Sequence, residues 1–120
     1  MNIERLRREQ GCLTDCVAYY LNIHPENVPY FVKPRKGWND RLKLFFKKFG
    51  YEVYWIKTNK VPKKGKHIVC GDSLVFKSYA HCVVYRAGKM AYDPNYPSKW
   101  NTKRTTHRLT IKNNDNTTKN

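Results

Sequence analysis

Between residues 12 and 21 the apolar side chains Leu13, Cys16, Val17, Tyr20 and Leu21 recur at i, i+3, i+4, i+7 and i+8. Side chains at those offsets share one face of a helix, so the spacing predicts a helix over 12–21 with a single buried stripe. Gly11, just before it, permits a tight approach into the first turn. Asn22 to Phe31 reads as a turn and a short helical piece, with Pro25 at its first position and Glu26 in its first turn. Pro34 and Gly37 then break the chain. Trp38, Leu42, Phe45, Phe46 and Phe49 form a second stripe. It predicts a helix over 39–49, capped by Asn39 or Asp40 and stopped by Gly50. Beyond residue 50 the period falls to two. Residues 51–58 alternate as a strand, 62–65 form a turn, and 67–70 form a short strand ended by Gly71-Asp72-Ser73. Residues 107–112 read as one more strand. Helices first and strands afterwards predict an α+β fold, N-terminal helices packed on a small antiparallel sheet.

Between these strands lies the stretch richest in chemistry, Ala80-His81-Cys82-Val83-Val84-Tyr85-Arg86-Ala87-Gly88-Lys89-Met90-Ala91-Tyr92-Asp93-Pro94. Its two β-favouring runs flank a turn at Arg86-Ala87-Gly88. A two-residue type I′ turn would need positive φ at Ala87, which costs energy for any residue with a Cβ. A three-residue loop with Gly88 in the left-handed position avoids that cost. That loop sets Tyr85 against Lys89, Val83 against Ala91 and His81 against Asp93. Opposed residues on one face have Cβ atoms roughly 5 Å apart. A carboxylate orienting an imidazole is two thirds of a catalytic triad. In this hairpin Cys82 points away from His81, into the core.

The chain has 120 residues, 40% of them hydrophobic, which suits one domain with a modest core. Residues 1–112 read as that domain, with 1–10 a charged arm or short helix. Residues 113–120 read as a disordered polar tail. No run of eighteen apolar residues marks a membrane span, and the N-terminus lacks the apolar centre of a signal peptide. The expected location is the cytoplasm, the host cytoplasm if the chain is viral. Lys and Arg outnumber Asp and Glu by 24 to nine, for a net charge of +15. Such a charge fits an acidic partner, nucleic acid or an acidic protein, or simply a solvated, lysine-rich surface. The cations recur along the whole chain without gathering on one predicted face. There is no Gly-rich phosphate loop, and no cofactor is expected.

The cysteines are Cys12, Cys16, Cys70 and Cys82. No second close pair completes a zinc set, so no metal site is expected. In the cytosol all four would be thiols. A reactive thiol needs an environment that favours the thiolate, which a helix N-terminus and a nearby imidazolium provide. Cys12 opens the first helix, where packing gives a thiol no reason to sit. Cys16 lies on the apolar stripe, where a small buried residue is expected.

Cys12-Leu13-Thr14-Asp15-Cys16-Val17-Ala18, then His81-Cys82-Val83-Val84, then Asp93-Pro94 resemble the papain-like cysteine peptidases in order and spacing. The pattern is nearest to the double-glycine peptidase domains that process bacteriocin leaders. Small uncharacterised phage and bacterial proteins share the layout, including a Val-Pro-aromatic segment like Val28-Pro29-Tyr30. The resemblance spans roughly residues 10–98. It implies a papain-like fold and a cysteine hydrolase acting on a peptide or protein, a host protein if the chain is phage-encoded. Cleavage of a peptide or isopeptide bond, deamidation and acyl transfer all remain open. Cys12 would be the nucleophile, His81 the base and Asp93 its orienter. These peptidases carry a glutamine about six residues before the cysteine, as an oxyanion donor. Position 6 is a leucine here, whereas Gln10 lies six before Cys16. Gln10-Gly11 therefore also fits a frame in which Cys16 is the nucleophile and Thr14 or Asp15 the cap. Gln10 is the oxyanion candidate in either frame. The alternative is a catalytically inactive binding protein on the same fold.

Of the remaining candidates, Trp100 sits in a polar loop and is the aromatic best placed to touch a ligand. Trp38 and Trp55 read as core. His24, His67 and His107 read as surface or structural residues, and Asp72 and Ser73 as turn residues.

Overall fold

The computed structural model describes residues 11–31, 34, 36–72, 80–94 and 105–113. Among these residues the helices are α1, Cys12–Leu21, and α2, Trp38–Lys47, with a short 3-10 turn, Pro25–Asn27, between them. Five strands follow: β1 Tyr51–Lys57, β2 Lys66–Asp72, β3 Ala80–Arg86, β4 Lys89–Tyr92 and β5 Thr105–Asn113. They form one antiparallel sheet in the order β1-β5-β2-β3-β4. The protein is thus an α+β fold with two helices packed on a five-stranded antiparallel sheet.

The periodicities account for the packing. Leu13, Cys16 and Val17 from α1 and Leu42, Phe45 and Phe46 from α2 meet Val53, Ile68, Val84 and Leu109 on one face of the sheet. Phe46 and Ile68 are fully buried. Each such side chain contributes about 1.5–3 kcal/mol through its removal from water. Trp38 and Trp55 flank this core edge to face at 6.3 Å, both partly buried. On the other face Val69, Val83 and Tyr85 make a smaller cluster under Val61. His24 caps the 3-10 turn by accepting a hydrogen bond from the Glu26 amide at its Nδ1. The Arg41 guanidinium ties the loop before α2 to that helix, donating to the carbonyls of Phe31, Pro34 and Lys36.

Several expectations change. The second helix starts at Trp38 after Gly37 and has no side-chain cap. Asn39 accepts instead from the Trp55 indole, 3.0 Å away, so its carbonyl is spent on tertiary structure. The helix ends at Lys47, and Phe49 is 44% exposed rather than completing the buried stripe. The strand around residues 67–70 runs from Lys66 to Asp72, because it lies at the centre of the sheet and is paired on both sides. The last strand is likewise longer than 107–112. Cys70 and Cys82, expected as thiols, are directly opposed on β2 and β3 and joined by a disulfide.

The hairpin departs most instructively. Its turn is the two-residue form, with Ala87 at φ 54° and Gly88 at φ 79°. Arg86 opposes Lys89 and Tyr85 opposes Met90, and a bulge then brings Val84 against Tyr92. The positive φ at Ala87 is tolerated because the turn is held from outside, where the Ala87 amide donates to the Gly65 carbonyl at 3.0 Å. The three-residue loop and its register are therefore not those of the protein.

Candidate active site

The ladder between β3 and β4 stops at Val84–Tyr92 and does not reach Cys82. The Cys82 amide donates instead to Cys12 Sγ, 3.0 Å away. The thiol at the start of α1 thus occupies the position a continued β4 would have held. Residue 81, one step nearer the start of β3, comes within reach of the same sulfur. The His81 side chain hydrogen-bonds Cys12 and also Asp93. Its Nε2 lies 2.6 Å from Asp93 Oδ1, which leaves Nδ1 as the ring nitrogen for the thiol.

Both members of the His81–Asp93 pair are nearly excluded from water, with side chains 10% and 5% exposed. Burial alone pushes the imidazole down. The hydrogen bonds to Asp93 and Cys12, together with the electrostatic pull of the same two neighbours, outweigh it and raise His81 to about 9. At neutral pH the ring is then an imidazolium held between a carboxylate and a sulfur. Cys12 itself is partly exposed, so a ligand can reach it. Gly11 at φ 82° turns the chain into α1 with no side-chain cap. The first amides of the helix therefore have no intrahelical acceptor and lie beside Sγ, where an oxyanion would form.

Cys16 lies elsewhere. It is fully buried in the apolar core, and burial, followed by the charges of Cys12, Asp15 and Asp93, pushes its thiol well above the usual range. The geometry brings together Cys12, His81 and Asp93 and leaves Cys16 one helical turn deeper. Thr14, on the same turn, donates its hydroxyl to the Pro29 carbonyl at 3.0 Å and is structural. His67 pairs with the Lys64 carbonyl and His107 with the Thr106 hydroxyl, each within three residues in sequence. Gln10, Ser73 and Trp100 lie outside the described residues, and so do the N-terminal arm and the tail beyond Asn113. The Cys82 amide is a contact at the site that sequence reasoning missed. Its only sequence signal is the position of Cys82 immediately after the histidine.

No family model matches the chain, and no curated protein or solved structure is significantly similar to it.

Proposed function

We propose that this protein is a papain-like cysteine hydrolase with Cys12 as nucleophile. The observation that carries the reading is the His81 ring, hydrogen-bonded at once to Cys12 and to the Asp93 carboxylate. Three residues drawn from a helix start, a strand start and a strand end form one connected chain. Cys12 Sγ adds to the carbonyl carbon of an amide or ester, its proton held at His81. The helix-start amides face the oxygen that gains the charge. As the carbon–nitrogen or carbon–oxygen bond breaks, His81 gives that proton to the leaving amine or alcohol, and a thioester remains on Cys12. Water then attacks the thioester with His81 as base, the carbon–sulfur bond breaks, and the acid leaves. A second amine in place of water gives acyl transfer, and a primary carboxamide as substrate gives deamidation. Asp93 keeps the ring in the tautomer and orientation these steps require.

Alkylation by iodoacetamide at neutral pH tests the reading, with the modified residue identified by mass spectrometry of tryptic peptides. Cys12 should react selectively, and His81→Ala should slow it by about a hundredfold, the usual scale of a lost general base. Equal, slow modification of Cys12 and Cys16 would exclude the enzyme.

A second reading is favoured by the sheet face away from the helices. There Lys112 Nζ lies 5.4 Å from the ring centre of exposed Tyr54, and Arg108 lies on the same strand between Lys112 and Lys60. A nucleic-acid strand could meet cations and an aromatic surface on this face. Affinity for a single-stranded oligonucleotide that falls steeply with salt would support it, and no binding at low salt would dismiss it.

A further inference from the structure

A cleft of about 530 Å3 opens between the C-terminal half of α1 and the β3–β4 hairpin. Asp15, Tyr19 and Asn22 line one wall, and Lys66, Arg86 and Tyr92 the other. Its lining comes within one helical turn of Cys12 at Asp15 and one residue of Asp93 at Tyr92, although no member of the triad lines it among the described residues. The rings of Tyr19 and Tyr92 stack at 4.6 Å across it and join helix to hairpin. At the far end stand the two cations. Lys66 and Arg86 are directly opposed on β2 and β3, on the helix side of the sheet with Ile68 and Val84.

Like charges in directly opposed positions destabilise a sheet. Lys66 has a partial structural explanation: its ammonium donates to the Tyr20 carbonyl at 2.6 Å and lies over the Tyr20 ring, capping the carbonyl end of α1. Its pKa is lowered, first by burial and then by the charge of Arg86. Arg86 is exposed, and among the described residues neither cation forms an ion pair. An anion between them would relieve the repulsion and engage the guanidinium fork.

We infer that this cleft is a specificity subsite of the proposed hydrolase, holding an anionic group of the substrate between Arg86 and Lys66. The inference rests on Cys12 being the nucleophile. α1 rises about 1.5 Å per residue, so the cations lie about 15 Å from Cys12 along the cleft. An extended peptide covers that span in roughly four or five residues. The substrate class is therefore an extended chain with a carboxylate or phosphate four or five residues from the reacting carbonyl.

Alanine-serine peptides carrying an iodoacetyl group test this, with one aspartate placed two to seven residues from the electrophile, in both chain directions, against matched asparagine peptides. The rate of Cys12 modification should peak at four or five residues, about tenfold above the asparagine control, the effect of a charge-assisted bond. A phosphoserine series separates carboxylate from phosphate as the preferred anion. Arg86→Ala should bring the aspartate-to-asparagine ratio to one, while Lys43→Ala, an exposed cation on α2, leaves it at tenfold. A flat profile, or a peak that persists in Arg86→Ala, overturns the subsite while leaving a selectively reactive Cys12 intact. Calorimetric titration with the aspartate peptide lacking the electrophile reads the cleft independently of Cys12. Binding that Arg86→Ala abolishes supports the subsite even where the hydrolase reading fails, and absence of binding removes it.

Discussion

At His81, burial and its polar partners pull the imidazole in opposite directions, and the partners prevail. Replacing Asp93 with asparagine removes the carboxylate whose hydrogen bond is the largest single upward influence and leaves burial in place. The ring should then titrate at least one pH unit below the wild-type value of about 9, as read from its carbon-bound proton resonances by NMR. The shift also links folding to pH. An unfolded histidine titrates near 6.5, so the folded state binds the proton more tightly. The resulting stabilisation is complete below about pH 6.5 and disappears as pH rises through about 9, and is on the order of 3 kcal/mol. Chemical denaturation at pH 6 and pH 9.5 checks the sign. His81→Gln should flatten the difference. Residue-scale chemistry was largely legible in the sequence: a histidine and an aspartate twelve apart, a cysteine at a helix start, a glycine before it. What the sequence left open was which sulfur the ring meets. Cys12 and Cys16 occupy one helix a turn apart, and periodicity does not say how deep that helix sinks against the sheet.

At the scale of elements, hydrophobic period and the two β-favouring runs of the hairpin located both helices and all five strands, because burial of one face dictates the period. Ends were read less well. Helix starts here lack side-chain caps, and Gly11 and Gly37, with positive φ, turn the chain in instead. The hairpin was misread for a similar reason. Local cost disfavoured positive φ at Ala87, yet its amide bonds to Gly65 in another loop, and the bulge before Tyr92 then moves the register one residue further from the expected one. Even so, Asp93 reaches His81 at 2.6 Å, because it lies just past the end of β4 and is not held to that strand's ladder. Ala87→Gly should relieve the left-handed strain, offset in part by greater freedom in the unfolded chain. A gain of about 0.5–1 kcal/mol in thermal unfolding is expected. In contrast, Phe46→Ala empties a fully buried site on α2 and should cost about 3–5 kcal/mol by the same measurement.

Across the whole molecule, charge and cross-links decide behaviour that no single element carries. With a net charge of +15 the folded chain repels itself. Raising the salt from 20 to 300 mM should therefore raise the melting temperature, by a few degrees on the scale of ~1 kcal/mol, as read by circular dichroism. Cys70 and Cys82 bridge neighbouring strands at the base of the site. Reduction should lower stability by about 2–3 kcal/mol for a loop of this length. Composition and alternating periods alone fixed an α+β chain with two amphipathic helices, several strands and a histidine near an aspartate, because each rests on contacts between neighbours in sequence. Tertiary structure alone decided the insertion of β5 between β1 and β2, the pairing of Cys70 with Cys82, and the seating of Cys12 on the Cys82 amide beside His81. These join residues from twelve to seventy positions apart, and it is the packing of α1 against β3 that seats Cys12 beside His81.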